Sequence, residues 1–133
     1  RDETIANLEA ASHLLSFNEP ERSDQANIDA YTAAGLWPTV LAVADEYNLK
    51  VVGPCMTDGG DGPDWYAQWK TACESYYGAP CYTDYTCIHM YYHPVPCDST
   101  VADWACVLDG AEKVTQMLNY WYETYGKKIW VTE

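Results

Sequence analysis

The sequence has a single Phe among 133 residues, and 7 basic residues against 20 acidic ones. It has no apolar run approaching the roughly 18 residues of a membrane span, no CxxC pair, no basic cluster, no repeat and no low-complexity tract. It shows neither a signal peptide nor an initiating Met, so the chain is expected to start within a longer protein or after processing. Each absence excludes something. A formal charge of −13 repels nucleic acid and anionic membrane surfaces, so neither is an expected partner. Without short paired Cys spacings, a zinc site is disfavoured and no metal is expected. The scarcity of Phe stands out because the chain is otherwise aromatic, with Tyr 12 and Trp 6. Packing alone would use more Phe. Tyr and Trp offer a flat apolar face with a polar tip, which suits sugar rings; the plainer reading is a Tyr-rich core and surface.

Apolar residues make up 48% of the chain, enough for a core and against general disorder. The length fits one domain, and no linker divides it. The six cysteines, Cys55, Cys73, Cys81, Cys87, Cys97 and Cys106, are even in number. They read as disulfides formed in an oxidising compartment, with reduced buried thiols as the alternative. Six cysteines allow about 15 pairings, and the expected pair is Cys73 with Cys81 or Cys87.

Hydrophobic periodicity gives the order of elements. Residues 3–11 read as the end of an amphipathic helix and residues 13–17 as a short strand, ended by Pro20. A helix is predicted over 27–48 with Leu36, Val40, Leu41, Val43, Ala44 and Tyr47 inward, and Pro38 is expected to kink or restart it. A strand follows at 50–54, then the loop DGGDGPD over 58–64. Asp64 is expected to cap the next helix, which carries Trp65, Trp69, Ala72, Cys73 and Tyr76 at helical spacing. A third strand lies within 82–91. The loop HPVPCDST leads to a long helix over 101–125, capped by Ser99 or Thr100 and stopped by Gly126. Trp104, Leu108, Ala111, Leu118, Trp121 and Tyr125 form its apolar face, and residues 127–132 are the last strand. Strands alternating with helical crossovers imply a parallel α/β sheet, either open or part of a barrel.

In such a sheet all strands point one way, and the rim at their C-terminal ends carries the site. Glu19 leaves the first strand and Glu133 the last; the third strand delivers His89 and Tyr91 to the same rim. Two carboxyls at one site suit glycoside hydrolysis, in which one donates a proton to the leaving oxygen and the other attacks the anomeric carbon or activates water. Mutual repulsion and partial burial would keep one of the two protonated. Among 20 acidic residues, two at strand ends can also fall there by chance.

The words around these residues favour the first reading. LLSFNEPE (14–21) resembles the acid/base strand of the retaining glycosidases built on (β/α)8 barrels, and IWVTE (129–133) resembles their seventh strand. GPCMTDGGDGPDWYAQW (53–69) and DYTCIHMYYH (84–93) are similar to the fifth and sixth strand regions of a narrower group. This is the glycosyl hydrolase catalytic core, glycoside hydrolase family 128, whose members are endo-β-1,3-glucanases. The resemblance implies a partial (β/α)8 TIM barrel, about strands four to seven with their helices, and a single segment over 1–133 truncated at both ends. It implies Glu19 as acid/base, Glu133 as nucleophile, and Asn18 as the contact to the sugar hydroxyl beside the anomeric carbon. It places His89 and Tyr91 in the pocket, with Tyr91 orienting the nucleophile, and leaves Trp130 facing either the barrel interior or outward. No cofactor is implied. The partner is a β-glucan polysaccharide, the full-length protein is a monomer, and the location is secreted, extracellular or cell wall.

Two positions depart from the family pattern: Met90 stands where many relatives have Trp, and Gly53 where Ser commonly precedes Pro. DGGDGPD invites a calcium reading but lacks the ligand that closes an EF-hand loop. His13 reads as structural, and His93 as a rim residue with a possible substrate contact. The rival readings are a non-catalytic β-glucan-binding protein on the same scaffold and a related β-1,4- or β-1,6-glycanase. Because four strands leave half a barrel open, the isolated segment is expected to be poorly active or inactive.

Overall fold

A computed structural model describes residues 10–91 and 104–133, with backbone only for 104–109. The helix expected over 3–11, apart from its last two residues, the cap at Ser99 or Thr100, and His93 and Cys97 lie outside the described residues. The side chains of Trp104, Cys106 and Leu108 lie outside them too.

The elements are β1 (His13–Leu15), α1 (Ala30–Glu46), β2 (Lys50–Thr57), α2 (Gly62–Tyr77), β3 (Tyr85–His89), α3 (Trp104–Tyr125) and β4 (Ile129–Val131). They form one four-stranded sheet in the order β1-β2-β3-β4, every neighbouring pair parallel. The chain is therefore a partial TIM barrel, as expected. Its helices pack on one face of the sheet. There Val51, Met56 and Ile88 meet Trp37, Trp65, Trp69 and Trp121 in the main core. On the other face, the interior side of a barrel, Val52, Cys55 and Cys87 form a second cluster with Tyr85 and Trp130. Val52 and Cys55 are three residues apart yet share that face, which strict alternation forbids. The register shifts between them, three residues of β2 spanning the two from Tyr85 to Cys87 on β3. This bulge at Gly53-Pro54 brings Cys55 beside Cys87.

Helix α1 begins at Ala30 because the Asp29 carboxylate accepts the Thr32 N–H at 2.9 Å, an N-cap. Pro38 does not restart the helix, which runs through it. Proline cannot donate to the carbonyl four residues back, Ala34. Tyr77 of α2 replaces the missing donor, its hydroxyl giving a hydrogen bond to Ala34 O at 2.9 Å. Tyr77→Phe orphans this carbonyl. We expect a loss of about 1 kcal/mol, read as a lower urea midpoint at unchanged m-value.

The inward stripe of α1 is Ala30, Ala33, Ala34, Trp37 and Ala44, whereas Leu36, expected inside, is 45% exposed. The small Ala side chains let α2 approach, and that close packing outweighs the larger hydropathy of Leu36. On α2, Trp65, Trp69, Ala72 and Cys73 are buried as expected, but Tyr76 is exposed and Tyr66 takes its place in the core. This helix starts at Gly62 after Asp61, so Asp64 lies in its first turn and is not its cap. Gly62 is required: a Cβ there would stand 2.2 Å from Thr57 O. Gly126, in the left-handed region at φ 63°, stops α3 as expected.

Among the described residues, Cys73 pairs with Cys81 and Cys55 with Cys87. The first is one of the two expected alternatives and rules out Cys73–Cys87. No described helix is long and apolar enough to cross a membrane.

Candidate active site

The parallel sheet brings the C-terminal ends of all four strands to one rim. Past Leu15 the chain stays alongside β2, with Cys55 N–H donating to Phe17 O at 2.9 Å and Glu19 N–H to Cys55 O at 2.7 Å. Asn18 bridges Cys55. Glu19 then adopts φ 38°, the left-handed region that a side chain disfavours. Such a residue costs on the order of 1 kcal/mol and persists where surrounding structure holds it. Here the hold is Glu21, whose Oε1 accepts both the Thr57 N–H and the Thr57 hydroxyl at 2.8 Å, pinning the NEPE turn to the end of β2.

The turn buries Glu19, which is 4% exposed. Its Oε1 lies 2.7 Å from His89 Nδ1 and 3.5 Å from the Tyr91 hydroxyl, and its Oε2 lies 3.3 Å from Arg22 Nε. His89 ends β3 and is 1% exposed. Glu133 follows β4 by two residues, held by Thr132 N–H to Ile88 O at 3.3 Å and by its own carbonyl, which accepts from Met90 N–H at 2.8 Å. Its side chain is half-exposed. Tyr91 donates a short hydrogen bond to Glu133 Oε2, and His89 Nδ1 stands 3.6 Å from the same oxygen. One tyrosine thus links the two carboxylates. An oxygen of Glu19, the His89 nitrogen and an oxygen of Glu133 all lie within 4.8 Å of one another.

This geometry has two chemical consequences. The 2.7 Å separation of Glu19 and His89 is that of a hydrogen bond with one proton between them, carried by either atom. It is shorter than the spacing of two donors around one ion at about 2.1 Å. A second cluster, Cys55, Cys87 and His89, lies just below, with its two sulfurs bonded to each other. Tyr91 is held as a donor: its hydrogen bond to Glu133, then burial and the nearby carboxylate charges, push its pKa up to about 12. A raised phenol pKa favours the neutral O–H form, so Tyr91 keeps its proton throughout the acid and neutral range.

The expected residues distribute as follows. Glu19, His89, Tyr91 and Glu133 come together. Asn18 lies at the same rim and gives a hydrogen bond to Gln25 Oε1 at 3.1 Å. Trp130 faces the barrel interior, where its ring packs on His13 at 4.7 Å and Tyr85 at 5.7 Å, a layer below the rim. His13 is thereby structural. Met90 packs against the main core. Arg22, Glu21, Thr57 and the Cys55–Cys87 bridge were not singled out from the sequence. Arg22 had a signal, standing three residues after Glu19. The bridge had none, because its alignment depends on the bulge.

A parallel α/β partial barrel with paired carboxylates at the C-terminal rim defines the (β/α)8 glycosidase class. The glycosyl hydrolase catalytic core family matches residues 1–133, and the chain belongs to it. No curated protein sequence matches. Several solved structures of glycoside hydrolase family 128 are similar. A subgroup II endo-β-1,3-glucanase from Pseudomonas viridiflava shares 28% identity at a TM-score of 0.70, covering 98% of this chain and 46% of its own. One from Sorangium cellulosum, also subgroup II, shares 27% at a TM-score of 0.63, covering 98% and 50%. A variant of a subgroup I endo-β-1,3-glucanase from Amycolatopsis mediterranei, in complex with laminaripentaose, shares 26% at 0.70, covering 98% and 47%. The chain spans about half the length of the structures it matches.

Proposed function

We propose that this chain is a segment of the catalytic domain of a retaining endo-β-1,3-glucanase, and that in a protein with a whole barrel it carries both catalytic carboxylates. The observation that supports this reading is the approach of Glu19 and Glu133, with oxygens within 4.8 Å. Retaining enzymes hold their carboxyls about 5–5.5 Å apart, whereas inverting ones leave about 6.5–9.5 Å for a water. Glu133, with the Tyr91 hydroxyl on one oxygen, attacks the anomeric carbon through the other. Glu19 gives its proton to the leaving oxygen and in the second step takes one from water; His89, sharing a proton with it, holds it in place. Asn18 contacts the neighbouring sugar hydroxyl, and Trp130 supports the floor beneath. No cofactor takes part. The substrate is uncharged, in keeping with a chain of net charge −13. The choice of β-1,3-glucan follows from the endo-β-1,3-glucanases it resembles. The two disulfides among the described residues are compatible with an extracellular location, and we assign the protein there as a secreted monomer.

The test is reducing-sugar release from laminarin by the 133-residue chain and by a protein of the relatives' length. The longer protein is expected to turn over, and the segment to do so poorly. Retention of glucan by the longer protein without sugar release would replace the enzyme with a glucan-binding protein. Preference for β-1,4- or β-1,6-glucans would move the substrate.

A further inference from the structure

A cavity of about 180 Å³ lies at the N-terminal ends of the strands, the end opposite the rim, between α2, α3 and the turns that precede β3 and β4. No acidic residue lines it, in a chain with 20 of them, yet two of the 7 basic residues, Lys70 and Lys127, do. Tyr66, Trp69, Tyr125 and Pro80 supply an apolar wall. We propose that this cavity binds a small aromatic carboxylate, with its ring against that wall and its carboxylate on the two ammonium groups. The site is separate from the carboxylate rim and does not depend on the catalytic reading.

The lysines carry charge that the protein leaves without a counterpart. Neither is in an ion pair among the described residues. Lys70 Nζ rests over the Tyr125 ring, 4.8 Å from its centroid. Lys127 Nζ donates to the Thr83 carbonyl and, at 3.0 Å, to the Thr83 hydroxyl, which leaves one of its three N–H bonds for a ligand. Asp84, the carboxylate whose charge reaches Lys127, is already paired with Lys50 at 3.5 Å. Burial pushes the Lys127 ammonium below the usual lysine range, and an anion bound beside it would offset that cost. Trp69 is 2% exposed, and its indole N–H has no hydrogen-bond partner among the described residues. A buried donor left unmet calls for an acceptor. Two ammonium groups and an unmet indole N–H along one cavity select an anion. The walls select its body, because aromatic side chains pack well on another ring. Size sets the scale: an apolar cavity of about 150 Å³ holds benzene, so one of about 180 Å³ takes a single ring with a carboxylate attached.

The experiment is a calorimetric titration of a protein of the relatives' length with sodium benzoate, benzyl alcohol and inorganic phosphate at fixed ionic strength, with backbone amide NMR to locate the site. Benzoate is expected to bind saturably, with shifts at Lys70, Cys81, Thr83 and Lys127. Benzyl alcohol offers the ring without the charge, and phosphate the charge without the ring; each is expected to bind at least about tenfold more weakly. Lys70→Met keeps the stem and removes the ammonium. It is expected to weaken benzoate binding roughly tenfold, the effect of losing a charged hydrogen bond, at a nearly unchanged thermal midpoint. Lys127→Met should weaken it as much, but it also breaks the bonds to Thr83; if that variant unfolds, Lys70→Met alone decides. Benzyl alcohol or phosphate binding as tightly as benzoate would overturn the proposal. So would benzoate affinity unmoved by Lys70→Met, shifts confined to rim residues such as Thr57 and His89, or no saturable shift at all. None of these outcomes bears on glucan hydrolysis at the rim.

Discussion

On the proposed reading of Glu133 as nucleophile, Glu133→Ala in a protein with the whole barrel is expected to lower β-1,3-glucan turnover by on the order of 10⁴-fold or more, because no other group would form the glycosyl intermediate. With Glu19 as the proposed acid/base, Glu19→Gln is expected to slow natural glucan by about 10²–10⁴-fold, the usual worth of acid–base assistance. These losses alone do not tell the two roles apart, since in the proposed mechanism both residues touch the reacting atoms. Added azide does. With Ala at 133, azide enters the vacated face and displaces the leaving group once, so the product is the inverted α-glycosyl azide. With Gln at 19 and an activated aryl glucoside, the covalent intermediate still forms because that leaving group needs no proton. Azide then displaces Glu133, and two inversions give the retained β-glycosyl azide. The same anomer from both variants, or no azide product from either, would refute the assignment. Swapped anomers would exchange the roles.

Tyr91 lies between the two carboxylates. Its hydroxyl binds Glu133 and reaches Glu19 at 3.5 Å. A phenol pushed up to about 12 by those carboxylates stays a donor at any pH where they work. It therefore contributes no limb to the pH–rate profile below that range.

How much of this was legible in the sequence depends on how local each signal is. Strand alternation and crossover helices were enough to place Glu19 and Glu133 on one rim, because parallel strands leave no other option. His89 and Tyr91 followed from the end of β3 for the same reason. Signals that depend on a distant partner did not carry. Pro38 reads locally as a break, whereas Tyr77, on another helix, gives a hydrogen bond to the carbonyl that Pro38 leaves without its helical donor. Leu36 reads as core by hydropathy, but the neighbouring helix selects the alanines. Asp64 reads as a cap because the close approach of Gly62 to Thr57, which starts α2 earlier, is a tertiary contact. Trp130 could have pointed either way from the sequence. Its register opposite Cys87 puts it on the interior face.

The Cys55–Cys87 bridge shows the same limit and carries the largest expected effect on stability. It closes a 32-residue separation, against 8 for Cys73–Cys81. On the chain-entropy account the first contributes about 3–4 kcal/mol and the second about 2–3. Position widens the gap. Cys55 and Cys87 are buried on the interior face, Cys87 two residues before His89 on β3, and Cys87 Sγ lies 3.3 Å from Thr132 Oγ1, next to Glu133. The bridge thus ties together the strands that deliver Thr57, His89 and, through Thr132, the second carboxylate. Cys55→Ala with Cys87→Ala should therefore lower the free energy of unfolding by roughly 1 kcal/mol more than Cys73→Ala with Cys81→Ala. It should also slacken the rim, seen as faster amide exchange at His89 and Met90, while the Cys73–Cys81 removal leaves those amides protected. Equal losses in urea unfolding, or exchange at His89 and Met90 unchanged by the first pair, would mean that hydrogen bonding between β2 and β3 holds the site without the bridge.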